Sequence, residues 1–330
     1  MDFFKGGLDL IGGLAMFLFG MSLMGEGLER RAGANLKRIL EKMTAGRFRG
    51  FLLGVGITAA IQSSSAVTVM VVGFVNSGIM SLHQSIGVIM GANVGTTVTA
   101  WLLGLIGVEG KTPILQLLKP VSFTPVLALI GVWFYVFTKK ERKRATGLIL
   151  LGFTVLIYGL EKMSDAVAPL AELPEFGRIL LVFENPLFGV IAGAILTAIL
   201  QSSSASVGIL QALATTGTLS YATVIPIVMG QNIGTCATSL ISALGTSINA
   251  KRAAFVHLYF NLLGTVVLLG GFYLLNAIFG FPFMNETITP FLIAFIHTAF
   301  NLFSTALLLP FASQLEKMVV LTVRDKRKKA

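Results

Sequence analysis

Apolar residues fall in nine blocks, at about 8–28, 51–79, 84–108, 120–138, 146–160, 186–218, 219–248, 254–280 and 290–312. Within a block they are near-continuous, whereas a helix on a soluble core carries one apolar stripe and a polar face. Several blocks approach or exceed the roughly 20 residues that cross a hydrocarbon core about 30 Å thick. In lipid only helices and closed barrels satisfy every backbone group, and barrel strands are shorter and alternate. The pattern predicts an all-α polytopic membrane protein. Two blocks break the pattern at their centres. Block 51–79 holds Gln62-Ser63-Ser64-Ser65 and block 186–218 holds Gln201-Ser202-Ser203-Ser204, four polar residues at bilayer depth in each. Block 51–79 as one straight helix would measure about 44 Å at 1.5 Å per residue, more than a span needs without strong tilt.

Charge decides between one long span and a hairpin. The 330 residues are 55% hydrophobic and 12% charged, with net charge +10. That balance excludes a soluble domain, which needs more charge on its surface. Twenty of the 25 Lys and Arg residues lie in four stretches that flank apolar blocks: 29–49, 139–144, 251–252 and 313–330. This is the distribution of cytoplasmic loops rather than of a nucleic-acid surface. If 51–79 and 186–218 each spanned once, 29–49 and 139–144 would fall on opposite faces. If each is a re-entrant hairpin, all four basic stretches share one face, and 109–119, 161–185 and 281–289 fall on the other. The hairpin arrangement gives seven spanning helices, an outside N-terminus and a cytoplasmic C-terminus in the cell (inner) membrane. The segment between the first two blocks, with Leu36, Ile39, Leu40 and Met43 at helical spacing among basic residues, reads either as an interfacial helix or as a solvated loop. No cleavable signal peptide is read, and the lone Cys236 is silent on redox compartment.

The chain repeats itself. An offset of 139 residues superposes 56–66 on 195–205 and, without a gap, 90–99 on 229–238; 17 of 46 positions are identical over 54–99 against 193–238. Internal repeats of this kind are common in secondary transporters. The parity argument makes the repeats inverted. The first repeat is 1–145, with a hairpin at about 51–79 and a broken helix at about 84–108. The second is 146–312, with a hairpin at about 186–218 and a broken helix at about 219–248. A basic cytoplasmic tail, 313–330, follows.

Unpaired polar groups cost several kcal/mol each in hydrocarbon, so the paired clusters imply a wet cavity or a ligand. Serine hydroxyls donate and accept. A hairpin turn at the triplet frees backbone N–H groups at a helix N-terminus, which favours anions. Gly91 and Gly95, and Gly230 and Gly234, predict helices broken at Asn93 and Asn232, whose carbonyl, amide and hydroxyl oxygens suit Na+. No Lys or Arg lies inside these motifs, so a bound dianion needs co-bound cations. That is a physical reason for sodium coupling. Against this, lone serines in membrane helices bond to their own backbone, and glycines allow close packing, the preferred reading for Gly12, Gly13, Gly20 and Gly270. Asp9, Glu26, Glu161 and Asp165 sit near block ends and read as interfacial, Glu26 being the one with a candidate proton or cation role. His257-x-x-x-Asn261 and His297-x-x-x-Asn301 place each pair on one face and read as interhelical hydrogen bonding. His83 reads as solvated at a membrane edge.

Paired QSSSA motifs, each followed by G-x-N-x-G-T, resemble the type II sodium–phosphate cotransporter family, over about residues 8–312. The resemblance implies phosphate uptake driven by sodium. It carries the family's motif positions onto Gln62 to Ser65 and Gln201 to Ser204, and the unwound segments onto Asn93, Thr96 and Thr97 and onto Asn232 and Thr235. Many bacterial members carry a further helical domain resembling the regulatory protein PhoU, and the expectation here is a chain without it. Cys236 stands where the first repeat has Thr97, so the half-sites differ. The candidate phosphate ligands are Ser63, Ser64, Ser65, Ser202, Ser203, Ser204, Asn93 and Asn232. The candidate sodium ligands are Gln62, Gln201, Thr58, Thr197, Thr96, Thr97, Thr235 and Ser206. Phosphate, Na+ and the bilayer are the expected partners, with no cofactor and no nucleic acid, and a homodimer is left open. The rival readings are a carrier of another oxyanion or a dicarboxylate, a phosphate exporter, and a membrane-embedded serine enzyme. The last lacks a G-x-S-x-G elbow and has no catalytic use for two triplets.

Overall fold

The computed structural model describes residues 3–32, 46–107, 120–169 and 173–324. Most of the basic segment read as an interfacial helix or loop lies outside them. The described residues form helices α1 (Phe3–Ala32), α2 (Arg47–Ile61), α3 (Ser64–Asn76), α4 (Leu82–Gly104), α5 (Pro120–Phe137), α6 (Glu141–Val167) and α7 (Pro174–Val182). There follow α8 (Pro186–Leu200), α9 (Ser203–Ala214), α10 (Tyr221–Gly234), α11 (Cys236–Ser242), α12 (Ile248–Phe279), α13 (Pro290–Leu308) and α14 (Ala312–Thr322). Among the described residues seven runs are long and apolar enough to cross a membrane: Lys5–Arg31, Leu82–Gly107, Pro120–Phe137, Glu141–Val167, Tyr221–Ser242, Ile248–Phe279 and Pro290–Leu308. The all-helical, multi-pass class follows from them. Segment 161–185, read as a loop, holds the end of α6 and all of α7, and α7 meets α8 at 98°.

The two serine-bearing blocks are each a pair of short helices. Their arms have 15, 13, 15 and 12 residues, about 18–22 Å each at 1.5 Å per residue, too short to cross. Helix α2 runs alongside α4 in the same direction. Gly87 abuts the Arg47 carbonyl, Gly91 the Phe51 carbonyl and Gly95 the Thr58 side chain. The end of α2 therefore lies level with Thr99, while α3 ends only a short turn before α4 begins. Helix α3 must run back along α2, which makes the pair a hairpin with its tip at Gln62-Ser63. The second half does the same. Gly189 abuts Pro226, Gly230 the Val190 carbonyl and Gly234 the Thr197 side chain, with the tip at Gln201-Ser202. The Gly230 and Gly234 contacts are those of Gly91 and Gly95 shifted by 139 residues.

The helix after the first hairpin is not broken. Helix α4 runs without interruption from Leu82 to Gly104, through Asn93. Its glycines let α2 come close: a Cβ on Gly91 would stand 2.1 Å from the Phe51 carbonyl oxygen, and one on Gly95 2.7 Å from that of Val55. Asn93 closes its own helix, donating from Nδ2 to the Ile89 carbonyl at 3.1 Å. In the second half the interruption is a single residue, Thr235, beyond Asn232, and Tyr221–Ser242 stays one candidate span. There too the glycines serve packing, a Cβ on Gly230 falling 2.0 Å from the Val190 carbonyl oxygen.

Helices α1 and α6 pack antiparallel along a glycine seam. Gly13 faces Met163 and Gly20 faces Leu156, while Gly152 faces Met24 and Gly159 faces Phe17. The contacts are reciprocal under the same offset: Gly152, Leu156, Gly159 and Met163 are the counterparts of Gly13, Phe17, Gly20 and Met24. An apolar cluster built on Phe17, Leu156, Ile157, Leu160, Ala205 and Ala212 fastens α9 to this seam. Asp9 and Lys162 form an ion pair across one end of it, at 3.0 Å.

Candidate functional site

Each hairpin tip combines a left-handed residue with a helix start. Gln62 (φ 61°) and Gln201 (φ 53°) are the two non-glycine residues at positive φ among the described residues, and each is followed by an extended serine. That sequence of conformations turns the chain back and starts the next helix. Ser63 Oγ accepts from Ala66 N, and Ser202 Oγ accepts from Ala205 N, both at 3.2 Å. These are N-cap bonds. The caps also take the amides of Val67 and Ser206 on the Ser63 and Ser202 carbonyls. The amides of Ser64 and Ser65, and of Ser203 and Ser204, are left as the free donors of each first turn.

The two tips touch. Ser65 Oγ donates to the Gln201 carbonyl at 3.3 Å. Together they line one cavity of about 350 Å³, from Gln62 to Ala66 on one hairpin and from Gln201 to Ser204 on the other. Its third wall is one face of α1: Leu18, Met21, Ser22, Gly25, Glu26 and Glu29. Ser64, Ser203 and Ser204 are 5–6% exposed, and their hydroxyls make no bond within the protein among the described residues. Two helix N-termini and several free hydroxyls thus converge on one space. Donor-rich, low-dielectric surroundings of this kind hold an oxyanion. Among the described residues no Lys or Arg lines the cavity, and Glu26 is bound to Arg30 at 2.6 Å.

Behind the tips the halves differ. Gln62 donates from Nε2 to the Ala59 carbonyl and accepts from Thr99 Oγ1, each at 2.7 Å. Its counterpart Gln201 makes no side-chain bond among the described residues. The counterpart of Thr99 is Thr238, whose buried hydroxyl has no partner among them. Thr58, Thr197 and Ser206 are fully buried, and their hydroxyls have no partner among the described residues. Thr96, Thr97 and Thr235 bond to carbonyls of their own turn, those of Ala92, Val94 and Gln231.

Asn93 and Asn232 are buried and lie outside the cavity lining. Asn232 donates back to the Val228 carbonyl. Asn93 Oδ1 faces His257 Nε2 at 3.4 Å, and His257 Nδ1 meets Ser239 Oγ at 3.1 Å. The interhelical reading of His257 is therefore met. For His297 it is not, since neither ring nitrogen has a partner among the described residues. His83 bonds Glu316 at 2.7 Å rather than standing free. Of the α1 wall, sequence reasoning singled out Glu26 alone. The wall's signal was present, because Ser22, Glu26 and Glu29 recur at the spacing of one helix face.

Comparison with known proteins gives the family. The sequence model of the family described as Na+/Pi-cotransporter matches twice, at residues 16–165 and 156–291. An uncharacterized protein of Bacillus subtilis, YqeW, is 29% identical over 257 residues, 78% of this chain and 79% of that one. The putative inorganic phosphate export protein YjbB of Escherichia coli K12 is 27% identical over 275 residues, 83% of this chain and 48% of that one. This chain thus spans about half the length of that relative. Sodium-dependent phosphate transport protein 2A of Rattus norvegicus is 40% identical over 94 residues, 27% of this chain and 15% of that one. No solved structure matches. With the family matched across both halves, the chain belongs to the Na+/Pi-cotransporter family.

Proposed function

We propose that this chain carries inorganic phosphate across a cell membrane by alternating access, coupled to Na+, with its halves acting as inverted repeats. The observation that carries the reading is the single cavity formed by two serine-capped helix N-termini. Phosphate sits between the tips, held by the hydroxyls and amides of Ser64, Ser65, Ser203 and Ser204, with Ser63 and Ser202 keeping the helix starts in place. Two N-terminal dipoles favour the anion, but no fixed cation balances it. Co-bound Na+ supplies that charge from neutral oxygens behind the tips: Thr58 and Gln62, and Thr197, Gln201 and Ser206. Thr96 and Thr97 on the neighbouring α4, and Thr235 between α10 and α11, are the next oxygens.

The inverted arrangement is supported by the reciprocal, antiparallel contacts of α1 with α6. The basic stretches orient the open cavity toward the cytoplasm, because α1 ends on that side in Arg30 and Arg31. Direction of flux follows from the gradients, so uptake and export are both within reach of one mechanism. The exporter name of the Escherichia coli relative makes both directions worth measuring.

The test is radiolabelled phosphate flux in proteoliposomes with and without a Na+ gradient. We expect gradient-dependent, saturable flux for which arsenate, the near-isostere of phosphate, competes and sulfate and dicarboxylates compete only weakly. Removing one hydrogen bond to a charged ligand costs about 1.5–3 kcal/mol. Ser64→Ala and Ser203→Ala should therefore each weaken phosphate binding by roughly 10- to 100-fold. Normal flux in both variants would overturn the site, and flux indifferent to Na+ would overturn the coupling.

A further inference from the structure

We propose that the molecule contains a second access path to the same serines, closed in this conformation. It runs between α6 and α9 and is lined by Ile157, Leu160, Glu161 and Ser164. The inference rests on the alternating-access reading and names the residues that reading leaves unassigned.

The argument starts from the α1–α6 seam. Because its contacts are reciprocal under an offset of 139 residues, each position on one helix has a counterpart on the other in an equivalent place. The open path is walled by Leu18, Met21, Ser22 and Gly25 of α1. Their counterparts are Ile157, Leu160, Glu161 and Ser164 of α6. The two sets differ in packing. Leu18 and Met21 are half-buried beside the cavity, whereas Ile157 and Leu160 are both 0% exposed.

The hairpin return arms differ in the same sense. On α3, Ala66 is exposed in the cavity and Val69 is 36% exposed. Their counterparts on α9, Ala205 and Gly208, are buried. Gly208 lies so close to Phe17 that a Cβ would stand 2.5 Å from its ring. One repeat-related interface is thus open while its twin is sealed by the cluster of Phe17, Leu156, Ile157, Leu160 and Ala205.

The apolar residues at the heart of the two seals are alike, Leu for Ile, Met for Leu and Ala for Ala, while Ser22 stands for Glu161, Gly25 for Ser164 and Val69 for Gly208. Exchange of the two packings therefore trades one apolar seal for another of similar size, which keeps the two states close in free energy. The exchanged state closes α1 onto α3 and opens α6 from α9. It leads to the opposite end of the molecule, where a separate cavity of about 400 Å³ already exists, lined by Lys5, Asp9, Lys162 and Asp165. Asp165 is the counterpart of Glu26, so both mouths carry a carboxylate, and at the far one Asp9 is paired with Lys162.

The test is side-specific labelling in proteoliposomes that retain phosphate flux. Met21→Cys and Leu160→Cys are each probed with a membrane-impermeant maleimide, the native Cys236 being only 1% exposed. Met21→Cys is expected to react from the face that carries Arg30 and Arg31, and Leu160→Cys only from the opposite face. Changing Na+ and phosphate should move the two labelling rates in opposite directions, several-fold each. Ile157→Cys replaces Leu160→Cys if the latter does not transport. Hydrogen exchange on the unmodified chain gives an independent reading, with residues 155–165 and 203–208 gaining exchange as 18–25 lose it. Transport-competent Leu160→Cys and Ile157→Cys that never label, or that label at rates indifferent to the ions, overturn the second path while leaving phosphate transport intact. Absent Na+-driven flux in the unmodified chain overturns the transport reading instead.

Discussion

At the scale of single residues, the two glutamines at the hairpin tips carry the sharpest constraint. A non-glycine residue in the left-handed region costs about 1–2 kcal/mol, and such strain persists where the surroundings over-determine it. At Gln62 the compensation is visible in the bonds to Ala59 and Thr99. At Gln201 none is made among the described residues, which leaves its amide free for a ligand. Gln201→Gly should therefore not lower the thermal midpoint, while Na+-driven flux falls at least 10-fold. A lower midpoint with full flux would show that the side chain is structural. Thr99→Val removes the partner of Gln62 and should cost about 1 kcal/mol, read by denaturation in detergent. The serine triplets were legible because polar residues in the middle of an apolar block have few uses. The left-handed turn was not, because glycine is the usual marker of that conformation and glutamine stands there instead. Nor was the Gln62–Thr99 bond, which links residues 37 positions apart.

Among the elements, the glycines of α4 and α10 separate two readings that sequence alone cannot. A glycine in a membrane helix either breaks it or admits a neighbour, and both readings have the same spacing. The closeness of α2 and α8 decides for the neighbour. Gly91→Ala would place a Cβ 2.1 Å from the Phe51 carbonyl oxygen. Overpacking of backbone costs about 1–3 kcal/mol or more, so this variant should lose thermal stability and flux together. Gly73→Ala, with nothing within 4 Å of its Cβ, should keep both. Equal behaviour of the two would remove close packing as the reason for these glycines. The hairpins themselves were legible, from a block too long for one span and from the positions of the basic residues. The short helix α7 was not, since its nine residues fall among prolines and charges that read as a loop.

For the molecule as a whole, the count of crossings sets the sides of its ends. We infer from the seven candidate spans and two hairpins that the termini lie on opposite faces, with the basic tail in the cytoplasm. A fluorescent protein fused after Ala330 should fold and emit in cells, and alkaline phosphatase fused there should stay inactive. The opposite result would invert the assigned orientation. The glycine seam between α1 and α6 has a consequence of its own. Its contacts are self-complementary, as in a dimer with two-fold symmetry, although both partners belong to one polypeptide. Two separate half-length chains inserted in opposite senses would present that same mutual surface before any linker joined them. Cutting the link after Lys139 and producing the fragments side by side should then still yield a pair that carries phosphate in the same flux measurement.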